Sequence, residues 1–380
     1  MTPTETHTPV FFIVAGETSG DLHGARLMRA LRTIYPMARF DGIGGEQMER
    51  EGLRSIVPLA TINVVGFWEV AKRYGSFRAL LHRCRAMLMD TAYAAFIPVD
   101  YPGFNMRLAA TAKAQGIPVC WYIAPQLWAW GENRADTLRS LCDVLMVVFP
   151  FELEFFTQHR INTRFVGHPL LDDEAFSHDI VPIHKRDNTI ALLPGSRTQE
   201  IQRNLPIMLS SAQLLARTLN DYTFTVAQSP NVAPHEYHRI AERYAIQPTY
   251  TMHSRPLLRT ARAGMIKTGT STLEAGLLGL PFVMMYRTSW ISYWLAKRVI
   301  TLPSIALVNI ILQAPVIPEC IQQSATPELL TEEILAFVRD DRKSETLQTN
   351  LRTLRSVLGE NTTGLSSALR SAQVIAEYCR

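Results

Sequence analysis

The stretch Ala263–Arg287, AGMIKTGTSTLEAGLLGLPFVMMYR, contains an apolar run, a polar turn, a helix-forming run and a second apolar run. It predicts a strand over Ala263–Lys267, a tight turn, a helix and another strand. Gly269 allows backbone angles that other residues avoid, while Thr270 and Ser271 place hydroxyls and unpaired N–H groups at the helix start. Because such a helix start binds anions, we expect a phosphate there.

Glu274 falls in the first turn of the same helix. A carboxylate there can accept hydrogen bonds from a sugar diol while the N–H groups hold a phosphate, and nucleotide binding needs both contacts. A simpler interpretation is a capped helix whose Glu274 complements the helix dipole. The stretch alone leaves both interpretations open.

The composition is that of a large globular protein. The 380 residues suffice for two domains, 47% are hydrophobic and 19% are charged, and the net charge of +4 does not by itself indicate nucleic acid. Five scattered cysteines fit reduced thiols in a cytosol and predict no zinc site. No run reaches the ~18 apolar residues of a membrane span, and the short apolar run after the polar N-terminus does not fit a signal peptide.

The first half reads as an α/β domain. Val10–Ala15 predicts a buried strand, and a Gly-rich turn leads into a helix from about Asp21 to Tyr35. This is the opening unit of a doubly wound domain, although the turn lacks the G-x-G-x-x-G pattern of dinucleotide binding. Further strands are predicted at Arg39–Ile43, Tyr93–Val99, Ile117–Ile123 and Val144–Val148.

Asp100 directly follows one of these strands. Side chains at the carboxyl ends of parallel strands face the ligand crevice, so Asp100 is a candidate general base. The alternative is a turn-forming or helix-capping aspartate. The aromatic loop APQLWAW follows the next strand, and its Trp128 either stacks on a sugar ring or fills the core.

The pattern restarts after the polar segment Asp172–Asn188, which we interpret as a linker. A strand over Thr189–Leu193 leads into a Gly-Ser turn, where Ser196 and Arg197 precede a helix. Arginine adds bidentate, charge-assisted bonds to a phosphate. Since parallel strands place this turn at the same sheet edge as the Thr270–Ser271 turn, the two together indicate a nucleotide diphosphate.

Two other stretches combine polar and apolar residues. Asn309 lies in the apolar run Ile305–Leu312, and because a buried amide needs partners, it is a candidate ligand contact. Residues 61–90 pair an apolar loop with a basic helix face, which fits either contact with an anionic membrane or an amphipathic helix packed on the sheet. The membrane-contact candidates are Val64, Val65, Phe67, Trp68, Lys72 and Arg73.

Six motifs occur in order along nearly the whole chain: GETSGDLHGA at 16–25, APQLWAW at 124–130, FPFE at 149–152, FVGHPL at 165–170, LLPGSRTQEI at 192–201 and TGTSTLEAG at 268–276. Together they resemble the lipid-A-disaccharide synthase family of glycosyltransferases. The resemblance implies the GT-B fold, in which two Rossmann-like doubly wound α/β domains face each other across a cleft. The implied domains are 1–172, joined by the C-terminal helix at about 360–380, and 189–355.

The implied activity is that of an inverting hexosyltransferase of lipid A (lipopolysaccharide) biosynthesis. The family transfers 2,3-diacylglucosamine from UDP-2,3-diacylglucosamine to 2,3-diacylglucosamine 1-phosphate (lipid X), forming a β-1,6-linked disaccharide 1-phosphate and UDP. The UDP-sugar is a substrate, and neither a cofactor nor an essential metal is implied. A peripheral location on the inner face of the inner membrane is implied, and the resemblance allows a homodimer with exchanged C-terminal helices.

The resemblance also implies roles for individual residues. Asp100 is the expected base, with Glu17 and Asp21 as second choices. The expected donor contacts are Ser196, Arg197, Gly269, Thr270, Ser271, Glu274 and Asn309. The expected acceptor contacts in the first domain are Ser19, Asn105 and Trp128.

The chain departs from the family pattern at Gly103, where an Asp is usual, at Val308, where a Pro is usual, and at Cys320, where a Leu is usual. An essential carboxylate at position 103 would rule out Asp100 as the base. Two other functional classes stay open from the residues alone. One is a nucleotide-sugar epimerase or a GT-B transferase with a soluble acceptor, and the other is a non-catalytic nucleotide-sugar- or lipid-binding module.

Overall fold

The computed structural model describes residues 8–59, 74–288, 304–359 and 364–379. Internal contacts divide the chain into two compact units. Unit 1 is Met1–Asp172 together with Leu358–Arg380, and unit 2 is Asp173–Val357. Each unit is built on one parallel β-sheet whose strands alternate with helices.

In the described ranges, the sheet of unit 1 has seven parallel strands: β1 (Val10–Ala15), β2 (Arg39–Ile43), β3 (Leu53–Ser55), β4 (Ala95–Val99), β5 (Cys120–Tyr122), β6 (Val144–Val147) and β7 (Thr163–Phe165). They lie in the order β3-β2-β1-β4-β5-β6-β7, so the direction of winding reverses between β1 and β4. Ligands of doubly wound sheets bind at this switch point. The helices up to Asp172 are α1 (Thr18–Ile34), α2 (Glu46–Arg50), α3 (Tyr74–Asp90), α4 (Pro102–Ala114), α5 (Leu127–Trp130), α6 (Ala135–Leu141) and α7 (Pro150–Gln158).

The described part of unit 2 has six parallel strands: β8 (Asp187–Leu193), β9 (Thr223–Ala227), β10 (Thr249–Thr251), β11 (Ala261–Lys267), β12 (Phe282–Tyr286) and β13 (Glu319–Ile321). Their order is β10-β9-β8-β11-β12-β13, with the switch point between β8 and β11. The helices are α8 (Thr198–Leu215), α9 (Pro234–Ala241), α10 (Ser254–Thr260), α11 (Thr270–Leu277), α12 (Leu307–Leu312), α13 (Pro327–Arg339) and α14 (Asp341–Val357). The last helix of the chain, α15 (Ser367–Ala376), belongs to unit 1.

The central strands are continuous apolar runs because neighbouring elements cover both faces of the sheet. Phe11, Phe12, Ile13 and Val14 of β1 are fully buried. The strands that the sequence did not reveal are the three-residue strands β3, β7, β10 and β13. Such strands are too short to show a period in the sequence.

The segment predicted as a linker is instead part of the packing of unit 2. Phe176 and Ile183 are each only 1% exposed, and the Arg186 side chain is buried. The Arg186 guanidinium donates to the carbonyl oxygens of Val181, Leu258, Ala261, Leu278 and Gly279 at 2.7–3.2 Å. The polar composition of this segment suggested that it is exposed to solvent. Instead, the Arg186 guanidinium is buried because it donates to carbonyl groups near the ends of α10 and α11, which have no partners inside those helices.

Hydrogen bonds from the preceding part of unit 1 hold the first turn of the C-terminal helix α15. The carboxylate of Asp172 accepts hydrogen bonds from the backbone N–H groups of Ser367 (2.7 Å) and Ala368 (2.9 Å). The Ser367 hydroxyl donates to the Gly167 carbonyl over 2.8 Å. A carboxylate at a helix N-terminus also complements the helix dipole, so Asp172 fixes the start of α15.

We predict that Arg186→Met lowers the free energy of unfolding by roughly 3 kcal/mol or more, because several buried carbonyls lose their donor at once. The midpoint of urea unfolding measures this effect. Arg203→Met, which removes an exposed cation of α8, is the matched control and is expected to change the midpoint little. Equal midpoints for the two variants would contradict a structural role for Arg186.

Candidate active site

The two predicted anion-binding turns of unit 2 lie together at its switch point. Leu193 of β8 pairs with Ile266 of β11, so the two strands end at the same level. The turns that follow line one cavity of about 340 Å³ at the carboxyl edge of the sheet. Its lining includes Gly195, Ser196, Gln228, Lys267, Gly269, Thr270 and Ser271.

Two glycines are required by this geometry. Gly195 and Gly269 have φ angles of 128° and 141°, which side chains disfavour. A Cβ on Gly195 would also lie 2.5 Å from the Glu200 Oε2 atom. Gly269 is the residue before the first turn of α11, whose N–H groups have no partners inside the helix. The predicted phosphate turn therefore has the backbone form of an anion site.

An ion pair joins the two turns. The Lys267 ammonium donates to Glu200 Oε1 over 2.9 Å, and the Ser196 N–H donates to Glu200 Oε2 over 3.0 Å. Burial raises the pKa of Glu200, but the Lys267 and Ser196 hydrogen bonds outweigh it, and the net pKa is below its usual value. Neither Glu200 nor Lys267 was among the predicted site residues. The Arg197 side chain is exposed at the start of α8, and the cavity lining includes its neighbour Ser196 but not Arg197 itself.

Glu274 already has a charged partner in the structure. The Arg255 Nε atom donates to Glu274 Oε1 over 3.0 Å, and another Arg255 nitrogen donates to Asp173 over 2.9 Å. Burial raises the pKa of Glu274, and the Arg255 charge opposes this rise. Arg255 therefore fixes the Glu274 carboxylate through Oε1. The sequence did not reveal this contact because the two residues are far apart in the chain.

The structure gives Asn309 a different role from the predicted ligand contact. Its side chain is only 4% exposed, and its Nδ2 donates to the Ile317 carbonyl (2.9 Å) and to Glu319 (2.8 Å). Its Oδ1 accepts from the Ile317 N–H over 2.7 Å. Because these protein partners already satisfy the amide, it serves to fix the loop before β13.

Gln228 is a candidate that sequence reasoning missed. It follows β9 and lines the same cavity as the two turns. Its Nε2 is buried and meets no hydrogen-bond acceptor among the described residues. Position at the carboxyl end of a strand was the only sequence signal that could have identified it.

In unit 1, Asp100 lies at the corresponding switch point. It directly follows β4, which pairs with β1. Asp100 and Tyr101 have φ angles of 48° and 50°, a strained conformation that is frequent at functional sites. The pKa of Asp100 is raised to about 6, mainly by burial and also by the nearby Glu17 charge, while the hydrogen bond from the Tyr101 N–H opposes the rise. A carboxylate with this pKa is suited to proton abstraction near neutral pH.

The second-choice residues divide into two kinds. Glu17 is exposed at the turn after β1, as is the predicted acceptor contact Ser19. Asp21 is buried, and its two oxygens accept hydrogen bonds from the N–H groups of Gly45, Gln47 and Met48 at 2.8–3.1 Å. Asp21 therefore caps α2 from a distance, so Glu17 is the better second candidate for a base.

The predicted acceptor residues also serve the local structure. Asn105 is fully buried, and its Nδ2 donates to the carbonyls of Asp100 (2.7 Å) and Val14 (3.3 Å). It therefore ties together the strand ends on both sides of the switch point. The half-buried Trp128 packs edge-to-face on Phe151 with ring centroids 4.8 Å apart.

Glu152 positions the Trp128 indole and was not predicted. The Trp128 Nε1 donates to Glu152 Oε1 over 3.0 Å, and the Val148 and Phe149 N–H groups donate to Oε2. The pKa of Glu152 is raised to about 7, mainly by burial and slightly by the Asp100 charge, while these three hydrogen bonds oppose the rise. The FPFE motif contains Glu152, but the sequence did not show that it is buried.

Several sequence observations concern other positions. The six membrane-contact candidates, Val64, Val65, Phe67, Trp68, Lys72 and Arg73, lie outside the described residues. Gly103 is exposed, and a Cβ added there would meet no described atom within 4 Å, so the missing carboxylate reflects no steric constraint. Val308 and Cys320 are buried.

Comparison with known proteins identifies the family. The model of the lipid-A-disaccharide synthetase family matches residues 11–372. The chain belongs to this family. A lipid-A-disaccharide synthase of Acidobacterium capsulatum is 35% identical, covering 97% of this chain and 96% of that protein. A lipid-A-disaccharide synthase of Syntrophus aciditrophicus is 36% identical, covering 97% of each.

The fold comparison agrees with this assignment. The solved structure of the glycotransferase of kitacinnamycin has a TM-score of 0.64 with 15% identity, covering 98% of this chain and all of that chain. The predicted family, the GT-B class of two Rossmann-like units and the UDP-sugar glycosyltransferase class are confirmed. No helix in the described ranges is long and apolar enough to cross a membrane. Within the same ranges, no three His, Cys, Asp or Glu side chains form a metal-binding group.

We predict that wild-type stability depends on pH through Glu152, with Glu152→Gln as the reference. Because the folded pKa is raised, the stability from this group is fully present below its ordinary pKa of 4.5 and is lost as pH rises through about 7. Relative to the variant, the wild type should lose up to about 3 kcal/mol between pH ~4.5 and ~8. Urea unfolding of both proteins at several pH values measures the difference, and a pH-independent difference would contradict the raised pKa.

Proposed function

We propose that this chain transfers 2,3-diacylglucosamine from UDP-2,3-diacylglucosamine to the 6-hydroxyl of 2,3-diacylglucosamine 1-phosphate (lipid X). The products are the β-1,6-linked disaccharide 1-phosphate and UDP. The observation that carries the proposal is chemical: the switch point of unit 1 holds a half-buried carboxylate with a raised pKa, and that of unit 2 holds two turns that line one cavity and have the backbone form of an anion site. Family membership supports the choice of substrates.

The reaction is a single displacement with inversion. The acceptor 6-hydroxyl oxygen forms a bond to the anomeric carbon of the donor, while the bond from that carbon to the diphosphate oxygen breaks. The electron pair leaves with UDP, and the hydroxyl proton passes to the Asp100 carboxylate. The transition state has oxocarbenium character, as in glycoside hydrolysis.

The donor site would be formed by unit 2. The N–H groups at the start of α11, with Ser196, Arg197, Thr270 and Ser271, would hold the diphosphate and stabilise the charge that develops on it. Glu274 would accept hydrogen bonds from the ribose diol, held in position by Arg255. No essential metal is part of this proposal.

The acceptor site would be formed by unit 1. Asp100 would take the proton, and its burial is what gives it enough basicity to do so. Trp128, fixed by Glu152, would offer an aromatic face to the sugar. Glu17 is exposed near Asp100 and would modulate its pKa by like-charge repulsion.

The first test is UDP release from UDP-2,3-diacylglucosamine with and without lipid X. We predict that release requires lipid X, that Asp100→Asn reduces it at least ~100-fold, and that the exposed control Asp90→Asn leaves it unchanged.

In the wild type, kcat/KM should rise with pH as Asp100 loses its proton, with an apparent pKa of about 6. Glu17→Gln should shift this rise in kcat/KM to lower pH, because removing the negative charge of Glu17 lowers the pKa of Asp100.

Other outcomes have definite meanings. Lipid-X-dependent release that survives Asp100→Asn and is lost in Glu17→Gln would make Glu17 the base. Chemical conversion of the donor without any acceptor would indicate an epimerase. Nucleotide binding without turnover would indicate a binding module.

We also propose peripheral contact with the cytoplasmic face of the inner membrane through the stretch that contains Phe67 and Trp68, since both substrates carry acyl chains. Anionic phosphatidylglycerol vesicles should bind the wild type, and a Phe67→Ser, Trp68→Ser double variant should bind at least ~10-fold more weakly. Met37→Ser, which removes an apolar side chain that is 70% exposed, is the control. Equal vesicle binding by all three proteins would refute the membrane contact.

We also propose a homodimer in which two copies of the chain exchange their C-terminal helices.

A further inference from the structure

The donor cavity of unit 2 contains a pair of opposite charges that the family motifs do not assign. Among the described residues that line it, Lys267 is the one cation and Glu200 the one anion. The two side chains are 22% and 20% exposed, so solvent screens their interaction only partly. A dianionic ligand in this cavity would therefore interact strongly with both.

The Lys267 ammonium lies beside the turn that begins α11. A Cβ built on Gly269 would come within 3.9 Å of the Lys267 Nζ atom. The same Nζ donates to Glu200 Oε1 over 2.9 Å. An ammonium has three hydrogens, so Lys267 has donors left for an anion held by the turn.

The two carboxylate oxygens of Glu200 accept hydrogen bonds from different groups. Oε1 accepts from Lys267, while Oε2 accepts from the Ser196 N–H over 3.0 Å. The second bond orders the Gly195–Ser196 turn and needs an oxygen but no charge. The first bond lowers the positive potential that Lys267 offers to a ligand. A neutral glutamine at position 200 would separate these two tasks.

A second observation indicates a ligand with oxygen acceptors. Gln228 lines the same cavity, and its buried Nε2 donates to no acceptor among the described residues. Because a buried donor without an acceptor costs free energy, the cavity favours a ligand that supplies one. Phosphate and sugar oxygens both meet this requirement.

We propose that Lys267 binds the diphosphate of the donor, and that Glu200 competes with this diphosphate for the Lys267 ammonium. The inference rests on the proposed function, because the ligand is a nucleoside diphosphate. When UDP leaves, Lys267 faces the charge that the broken bond adds to the diphosphate, in addition to the helix N-terminus.

The test compares the affinities of UDP and uridine for the full chain by calorimetry. Lys267→Met should weaken UDP binding at least ~10-fold, as expected for a lost charged hydrogen bond, and should change uridine binding less than ~3-fold. Lys267→Arg should retain most of the UDP affinity. Arg203→Met, which removes an exposed cation from α8, controls for net charge.

Glu200→Gln makes the decisive comparison because the proposal predicts the opposite sign. Its amide oxygen can still accept from the Ser196 N–H, whereas the charge that competes for Lys267 is gone. UDP affinity should rise about threefold or more, and the gain should be smaller in the double variant with Lys267→Met, where only the direct repulsion between Glu200 and the diphosphate is removed. Thermal melting of every variant checks that it is folded.

The outcomes separate this inference from the proposed function. UDP affinity that falls by similar factors in Lys267→Met and Glu200→Gln would overturn the inference, since the pair would then be structural. Equal losses of UDP and uridine affinity in Lys267→Met, or no loss, would also overturn it while leaving the proposed function intact. A wild type that binds no UDP would overturn both.

Discussion

The pairing of β8 with β11 is the constraint on which the candidate donor site depends. With Leu193 opposite Ile266, the two strands stop at the same level, and the chain must turn on both sides of the switch point. The turn after β8 needs Gly195 because the Glu200 carboxylate occupies the space of a Cβ, and that carboxylate in turn holds Lys267 at the end of β11. The strand register, the glycine positions and the partly buried Lys267–Glu200 pair therefore depend on one another.

Unit 1 has a similar switch point, but the groups next to it are acidic instead of anion-binding in character. Ala15 of β1 pairs with Val99 of β4, and the residues that follow include Glu17 and Asp100. Gly16 leaves room for the Tyr101 ring, since a Cβ there would lie 2.3 Å from the ring. The edge in unit 2 thus gathers N–H groups and the Lys267 ammonium, whereas the edge in unit 1 gathers two carboxylates, of which Asp100 has a raised pKa. A transfer reaction needs both, because a hydroxyl must lose a proton and a diphosphate must gain charge.

The sequence predicted features whose causes are local. Long apolar strands such as β1, the turn glycines and the helix starts follow from residue type and spacing, and the order of the motifs identified the family. It did not predict contacts between residues far apart in the chain. Three such contacts are the Arg255–Glu274 hydrogen bond, the capping of α2 by Asp21 and the hydrogen bonds from Arg186 to backbone carbonyls. Each partner comes close only in the folded chain, so the sequence alone does not identify it.

Asn309 and Gln228 show why a polar residue among apolar neighbours cannot be interpreted without its partners. Both raise the same question, namely what satisfies a buried amide. For Asn309 the answer is the protein itself, because Ile317 and Glu319 take its donors and its acceptor is used by the Ile317 N–H. For Gln228 no described residue accepts from its Nε2, and the residue lines the cavity beside the two turns that we predict to bind phosphate. Hydrogen-bond satisfaction, rather than burial, therefore separates a structural amide from one available to a ligand.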